Sequence, residues 1–283
     1  MKKILLSLLS CVALATYAQA PAGVEIIDLG LSVKWASMNI GAEKATDYGD
    51  YFAWGETVPY SETGKTTFSW STYKWMTEGR SSLAYVNKYQ FADNQTSACW
   101  YSNGTFIGDN KKVLEAADDA ATANWGSDWR MPTYDELYEL YNTDNCSRTW
   151  YASGNTEFNG VAGYKVQSKK TGYTDNYIFL PAAGFRNNSS LYGAGSDGNY
   201  WSSSIGEYNT YVARYLDFDS SDCDMFDDYR YCGESVRPVT TSGSSAITST
   251  PASGISTTSK KIKIIKNGQI NIGDYNIAGH RIK

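Results

Sequence analysis

From Val24 onward the apolar residues come in short runs broken by polar and glycine positions. Ile26, Ile27 and Leu29, then Leu31, Val33 and Trp35, alternate around Gly30 in the manner of a hairpin or a bent strand. Runs of the same kind predict strands over 161–167, 177–180, 200–203, 211–219 and 234–239. One stretch, 125–142 (WGSDWRMPTYDELYELYN), has helical spacing instead: Leu137, Leu140 and Tyr141 fall on one face. Thr133 is placed to cap that helix, and Glu136, three residues on, to reach back to the Thr133 amide as a capping box. Asp135 and Glu136 put negative charge in the first turn, where the helix dipole favours it. Pro132 keeps Met131 extended. The expectation is an α+β domain of short strands and long loops around one capped central helix at about 133–142, with a shorter helix or turn over 113–124.

The two ends read differently. Residues 1–20 have the form of a secretory signal peptide: Lys2 and Lys3, an apolar run from Ile4 to Ala15, and an Ala18-Gln19-Ala20 cleavage site. A lipoprotein box, Leu8-Leu9-Ser10-Cys11, is the competing reading. The apolar run is far below the ~20 residues that span a bilayer. Residues 241–259 are a Ser/Thr/Gly tract without charge, the composition of a flexible linker. Residues 260–283 alternate apolar and polar positions around Asn267-Gly268, a hairpin signal. The domain between, 21–240, is rich in aromatic residues and glycine and modest in charge, which suits a loop-rich β-containing domain and not a disordered chain. The net charge of −5 conceals an asymmetry. The leader carries +2 and the tail +5, leaving −12 on the central domain. An acidic surface of that size disfavours nucleic acid as a partner.

WRMPTYDEL (129–137) resembles the WR-[ML]-PT-xxE signature of the Fibrobacter major-paralogue (FISUMP) domain family and of the related formylglycine-generating-enzyme-like proteins. The resemblance extends over 24–57 (VEIIDLGLSVKWASMNIGAEKATDYGDYFAWGET), FLPAAGF (179–185), YWSSS (200–204) and SVRPV (235–239), covering roughly 25–240. It implies a C-type-lectin-like α+β fold, which hosts sugar binders, protein binders and enzymes. The tail, with Tyr275-Asn276-Ile277-Ala278-Gly279-His280, is similar to the sorting domains of type IX secretion cargo. That likeness implies recognition of the tail by secretion machinery and a secreted or surface-attached protein of a Gram-negative bacterium. A basic surface tail is the alternative.

Catalytic chemistry finds few candidate groups. His280, in the tail, is the sole histidine, so the main domain has no Ser-His-Asp or Cys-His arrangement. The histidine-ligated iron and paired-cysteine copper chemistry of formylglycine-generating relatives would need residues that this pattern lacks, and the domain is expected not to be an enzyme. Cys99, Cys146, Cys223 and Cys232 remain after the leader; an even count in an exported protein favours disulfides. Cys223–Cys232 is the favoured pair, with Asp227-Asp228 turning a hairpin between them, and Cys99 and Cys146 left as free buried thiols. Asp217, Asp219, Asp222, Asp224, Asp227 and Asp228 offer the hard oxygen ligands that calcium takes, yet lack the DxDxDG order, so a solvated acidic hairpin is the plainer reading. No other cofactor is expected.

Asn, Tyr, Ser and Asp fill 26 of the 49 positions from 186 to 234. Tyrosine gives rigid contact area and asparagine and serine adaptable hydrogen bonds, which is the composition of a recognition surface. An ordinary tyrosine-rich β-surface is the alternative. The expected function is therefore an exported adhesin-like or lectin-like module. It would recognise a glycan or protein ligand with Asn187, Asn188, Tyr192, Asn199, Tyr208, Asn209, Tyr211, Asp217, Asp219, Tyr229 and Tyr231. A structural envelope component is the alternative.

Overall fold

A computed structural model describes residues 19–92, 101–103, 105–242, 261–266 and 269–274. Residues 1–18 of the expected leader, Cys99 and the 275–280 motif lie outside the described residues. Two compact units divide the chain, 1–244 and 245–283.

The first unit overturns the α+β expectation. The chain is mostly β, with 32% in strands against 10% helical. Its strands form small antiparallel sheets. β1 (Ile26–Ile27), β2 (Lys34–Ala36) and β15 (Val239–Thr240) make one. β3 (Phe52–Ala53), β9 (Phe185–Asn187), β10 (Ser190–Tyr192) and β14 (Gly233–Glu234) make another, in the order β10-β9-β14-β3. β6 (Cys146–Tyr151), β7 (Gly163–Ser168) and β8 (Tyr177–Pro181) form a meander, as do β11 (Gly198–Ile205), β12 (Val212–Phe218) and β13 (Cys223–Tyr229). β4 (Tyr101–Ser102) and β5 (Thr105–Phe106) pair with each other.

Two α-helices are described, α1 (Ala120–Trp125) and α2 (Tyr134–Tyr141), and α2 alone exceeds six residues. At eight residues α2 is too short to organise a layer; it covers part of one face of the β11–β12–β13 sheet through Leu137 and Leu140. Its capping pair does form. The Thr133 hydroxyl accepts from Glu136 N at 3.3 Å, and Glu136 Oε2 accepts from Thr133 N at 2.8 Å. Arg130 clamps the same carboxylate through two N–H donors, at 2.7 and 2.5 Å. Thr133→Ala is expected to cost about 1 kcal/mol in denaturant unfolding, the usual worth of a cap.

What organises the domain is the β11–β12–β13 meander, in which β11 and β12 bury residues on both faces while β13 is a half-exposed edge. Alternation along the strands sends Leu216, Phe218 and Cys223 into a core with Val166, Ile178, Leu180 and α2. It sends Trp201 and Ala213 into a second core with Phe52, Trp54, Trp125, Trp129 and Met131. Gly198 makes the first possible: a Cβ there would stand 2.0 Å from the Phe218 ring, which lies across the strand directly opposite.

The segment after β13 threads three charged residues through these cores: Arg230, Glu234 and Arg237 are each at most 1% exposed. Arg237 donates to Asn39 Oδ1 (2.9 Å) and to the carbonyls of Phe179 (2.8 Å), Ala36 (3.3 Å) and Ser37 (3.4 Å). Arg230 donates to the Tyr73 hydroxyl and the Thr210 carbonyl, both at 2.9 Å, and lies 4.7 Å from the Trp54 ring centroid. Neither guanidinium meets a carboxylate, and neither oxygen of Glu234 has a hydrogen-bond partner.

The expected Cys223–Cys232 disulfide does not form. Cys146, Cys223 and Cys232 are all free and buried. Asp227 and Asp228 do not turn a hairpin; they lie inside β13, which runs on to Tyr229. An extended strand advances about 3.3 Å per residue, so Cys223 and Cys232 stand far beyond disulfide reach. They sit in different cores.

The second unit contains an antiparallel pair, β16 (Lys261–Lys266) with β17 (Gln269–Asp274), Lys266 facing Gln269. This is the hairpin that the alternation in the tail predicts.

Candidate functional site

The tyrosine-rich segment does not form one uniform face. β12 and β13 carry their side chains alternately to the two sides of the meander, so neighbours in sequence part company. Asn199 is buried and donates to Asp217 Oδ1 at 2.8 Å. Burial, then the charges of Asp197 and Asp219, push the Asp217 carboxyl up to about 6. Asp219 accepts from Ser221 N (2.6 Å), Ser221 Oγ (2.8 Å) and Asp222 N (2.9 Å), which makes it the turn residue of the β12–β13 hairpin. Asn188 pairs its backbone with Phe68. Tyr192, half exposed, stacks on Phe185 at the end of β10. Tyr208, in the loop before β12, is 70% exposed and its hydroxyl bonds Glu207, away from the other tyrosines. Asn209, in the same loop, keeps a buried side-chain oxygen without a partner.

Four of the expected residues do converge. Tyr229 and Tyr231 stack at 5.6 Å with a 12° interplanar angle, and Tyr211 lies 6.1 Å from Tyr229. Asn187 reaches the Tyr231 hydroxyl, whose pKa is raised chiefly by burial. The centre of the group is Trp70, which opens a 3₁₀ turn (Trp70–Thr72) and meets Tyr231 edge-on at 5.0 Å and Tyr229 at 6.0 Å. Tyr229 remains 41% exposed. The result is an aromatic platform whose polar groups are tyrosine hydroxyls and Asn187. The sequence shows Trp70 only as one of many aromatics in the 57–110 loops. Only the fold, by pinning Phe68 to Asn188, lays that loop beside Tyr231.

The acidic positions disperse. Asp227 pairs with Arg214 at 3.1 Å, Asp224 lies opposite Asp217, and Asp228 lies opposite Ala213 on the face that holds the Trp201 core. No three acidic, histidine or cysteine side chains of the described residues gather into a metal-holding group. The thiols are held well above their ordinary range by burial, Cys146 at about 11 and Cys223 at about 12, so they are poor nucleophiles. A separate cleft of about 1030 Å³ lies between residues 19–26 and 122–129, where Trp125 and Trp129 are accompanied by a single carboxylate, Asp128. Gln19, Thr122 and Ser127 supply its other polar side chains.

Comparison with known proteins finds no matching family model, curated protein or solved structure.

Proposed function

We propose that the protein is an exported, surface-associated binding module, and that the Trp70–Tyr229–Tyr231 platform with Tyr211 and Asn187 is its ligand contact. The observation that carries this reading is the convergence of four aromatic rings on one partly exposed site, drawn from the 3₁₀ turn at Trp70, the residue before β12 and the end of β13. Large rigid rings offer contact area at low conformational cost, and their hydroxyl rim fixes orientation. The leader pattern and the likeness of the tail to sorting domains support export, and the FISUMP-like blocks are in keeping with a surface role. Binding here is non-covalent recognition.

The test is a glycan-array and cell-surface pull-down screen with residues 21–240, in calcium and in chelator. Tyr229→Ala combined with Tyr211→Ala is expected to weaken any captured ligand by roughly a hundredfold, as loss of two aromatic contacts at about 1.4 kcal/mol each implies. Unchanged affinity in that double variant sinks the proposal. A screen in which no ligand binds favours a purely structural envelope component.

A further inference from the structure

The solvent side of α2 carries a second row of rings. Tyr134 and Tyr138 stack at 6.1 Å with a 27° interplanar angle, and Tyr138 lies 5.4 Å from Tyr141. Both ends of the row are closed by guanidiniums: Arg148 lies 5.1 Å from the Tyr141 ring centroid, and Arg214 lies 4.5 Å from that of Tyr134. Tyr138, in the middle, is 44% exposed. Tyr141 leans on the core beneath α2, while Tyr134 and Tyr138 belong to no core cluster.

Arg214 joins the two. It projects from β12 on the same face as Asp227 of β13, to which it is paired at 3.1 Å. Tyr229 stands two residues beyond Asp227 on that face, opposite Val212. Two residues along a strand is about 7 Å, close to the spacing between rings within each row. The rungs therefore follow one another from Arg148 along α2, through the Arg214–Asp227 pair, to Tyr229, Tyr231 and Trp70.

We infer that the α2 row and the Trp70–Tyr231 platform form one elongated strip that holds an extended, neutral polysaccharide chain. The inference rests on the platform being a binding site and adds the ligand's class and its length. Three features select that class. A row of rungs is matched by a ligand that repeats a rigid unit along its length. Aromatic faces are electron-rich and attract the C–H face of a sugar ring, while the hydroxyls at the ring's edge need acceptors. Those acceptors border the strip: Asp227 and Glu207, paired to Arg214 at 3.1 and 2.7 Å. Asp227 and Glu207 balance Arg148 and Arg214, so the strip offers no net positive charge, and it lies within a domain of net charge −12, which repels a polyanionic chain.

The test is affinity electrophoresis and calorimetry of the full-length protein against cello-, manno- and xylo-oligosaccharides, short and long, and against a polyuronate of matched length. Affinity for one neutral series is expected to rise with chain length until the strip is filled, since each added unit binds at high effective concentration. Tyr138→Ala is expected to weaken the long chain roughly tenfold and to leave the shortest bound oligomer unchanged. Tyr138 is exposed, so the variant should keep the wild-type melting temperature, which is checked in parallel. If Tyr229→Ala abolishes binding while Tyr138→Ala changes nothing at any length, the platform stands and the strip is refuted. Preference for the polyuronate, or capture of a protein alone, refutes the ligand class. Neutral-chain binding indifferent to both variants refutes the strip and the platform together.

Discussion

Glu234→Gln should stabilise the domain increasingly as the pH rises. Glu234 is wholly buried, has no hydrogen-bond partner for either oxygen, and is held as a neutral acid by burial and by the charges of Asp228 and Asp217. These face it from β13 and β12, with Tyr215 and Cys232 in the same surroundings. Its pKa in the fold is well above that of the free carboxyl near 4.5. A raised carboxyl means that the folded state binds the extra proton. Its contribution is fully favourable below the free value and is lost as the pH climbs toward the raised one. Each pH unit in that window costs about 1.4 kcal/mol. Urea unfolding of wild type and variant at pH 5, 7 and 9 should therefore give a difference that widens with pH in the variant's favour. Asp217, at about 6, adds a smaller loss of the same sign below pH 6 in both proteins. A difference that does not move with pH would show that Glu234 is not held neutral.

Arg237→Met should do the opposite and destabilise the domain, since each buried acceptor left without a donor costs about 1–3 kcal/mol. Its guanidinium holds Asn39, the Ala36–Ser37 carbonyls and the Phe179 carbonyl together, joining β2, the loop that follows it and β8. Methionine fills much of the volume and supplies no donor, so those acceptors are left buried and unmet. Burial alone lowers the Arg237 pKa to about 10, which still leaves it charged at neutral pH. Arg237→Lys should recover only a small part of the loss, because one ammonium cannot reproduce a planar fork aimed at several oxygens. Equal stability of Arg237→Met and wild type would mean that the four acceptors find other donors.

The local signals lay in plain view. Alternation located β7, β8, β11 and β12 to within a few residues, the capping pair Thr133 and Glu136 located α2, and the Asn267-Gly268 signal located the pairing of β16 with β17. Each depends on residues within a few positions of one another, where backbone geometry alone dictates the outcome. β13 was missed because Cys223-Asp224-Met225-Phe226-Asp227-Asp228-Tyr229 mixes charge with apolar residues on both sides, and the paired aspartates read as a turn. It is a strand because β12 offers an unpaired edge and Arg214 a partner for Asp227. The same error carried the disulfide with it. Fold class went astray because a well-capped helix is the loudest local pattern in the chain, yet eight residues cover too little surface to found a layer.

Sequence by itself determined the punctuation of the chain, the strand-forming runs, the capped helix and the composition of the recognition segment. Only the tertiary structure decided that Trp70 joins Tyr229 and Tyr231, that Asn199 and Asp217 turn away from them, and that Arg214 bridges α2 to the platform. It also decided that Arg230, Glu234 and Arg237 are buried, although their sequence gives no apolar signal. The reason is one of range: periodicity and capping are settled within a single element, whereas burial and convergence depend on which distant strand lies across the way.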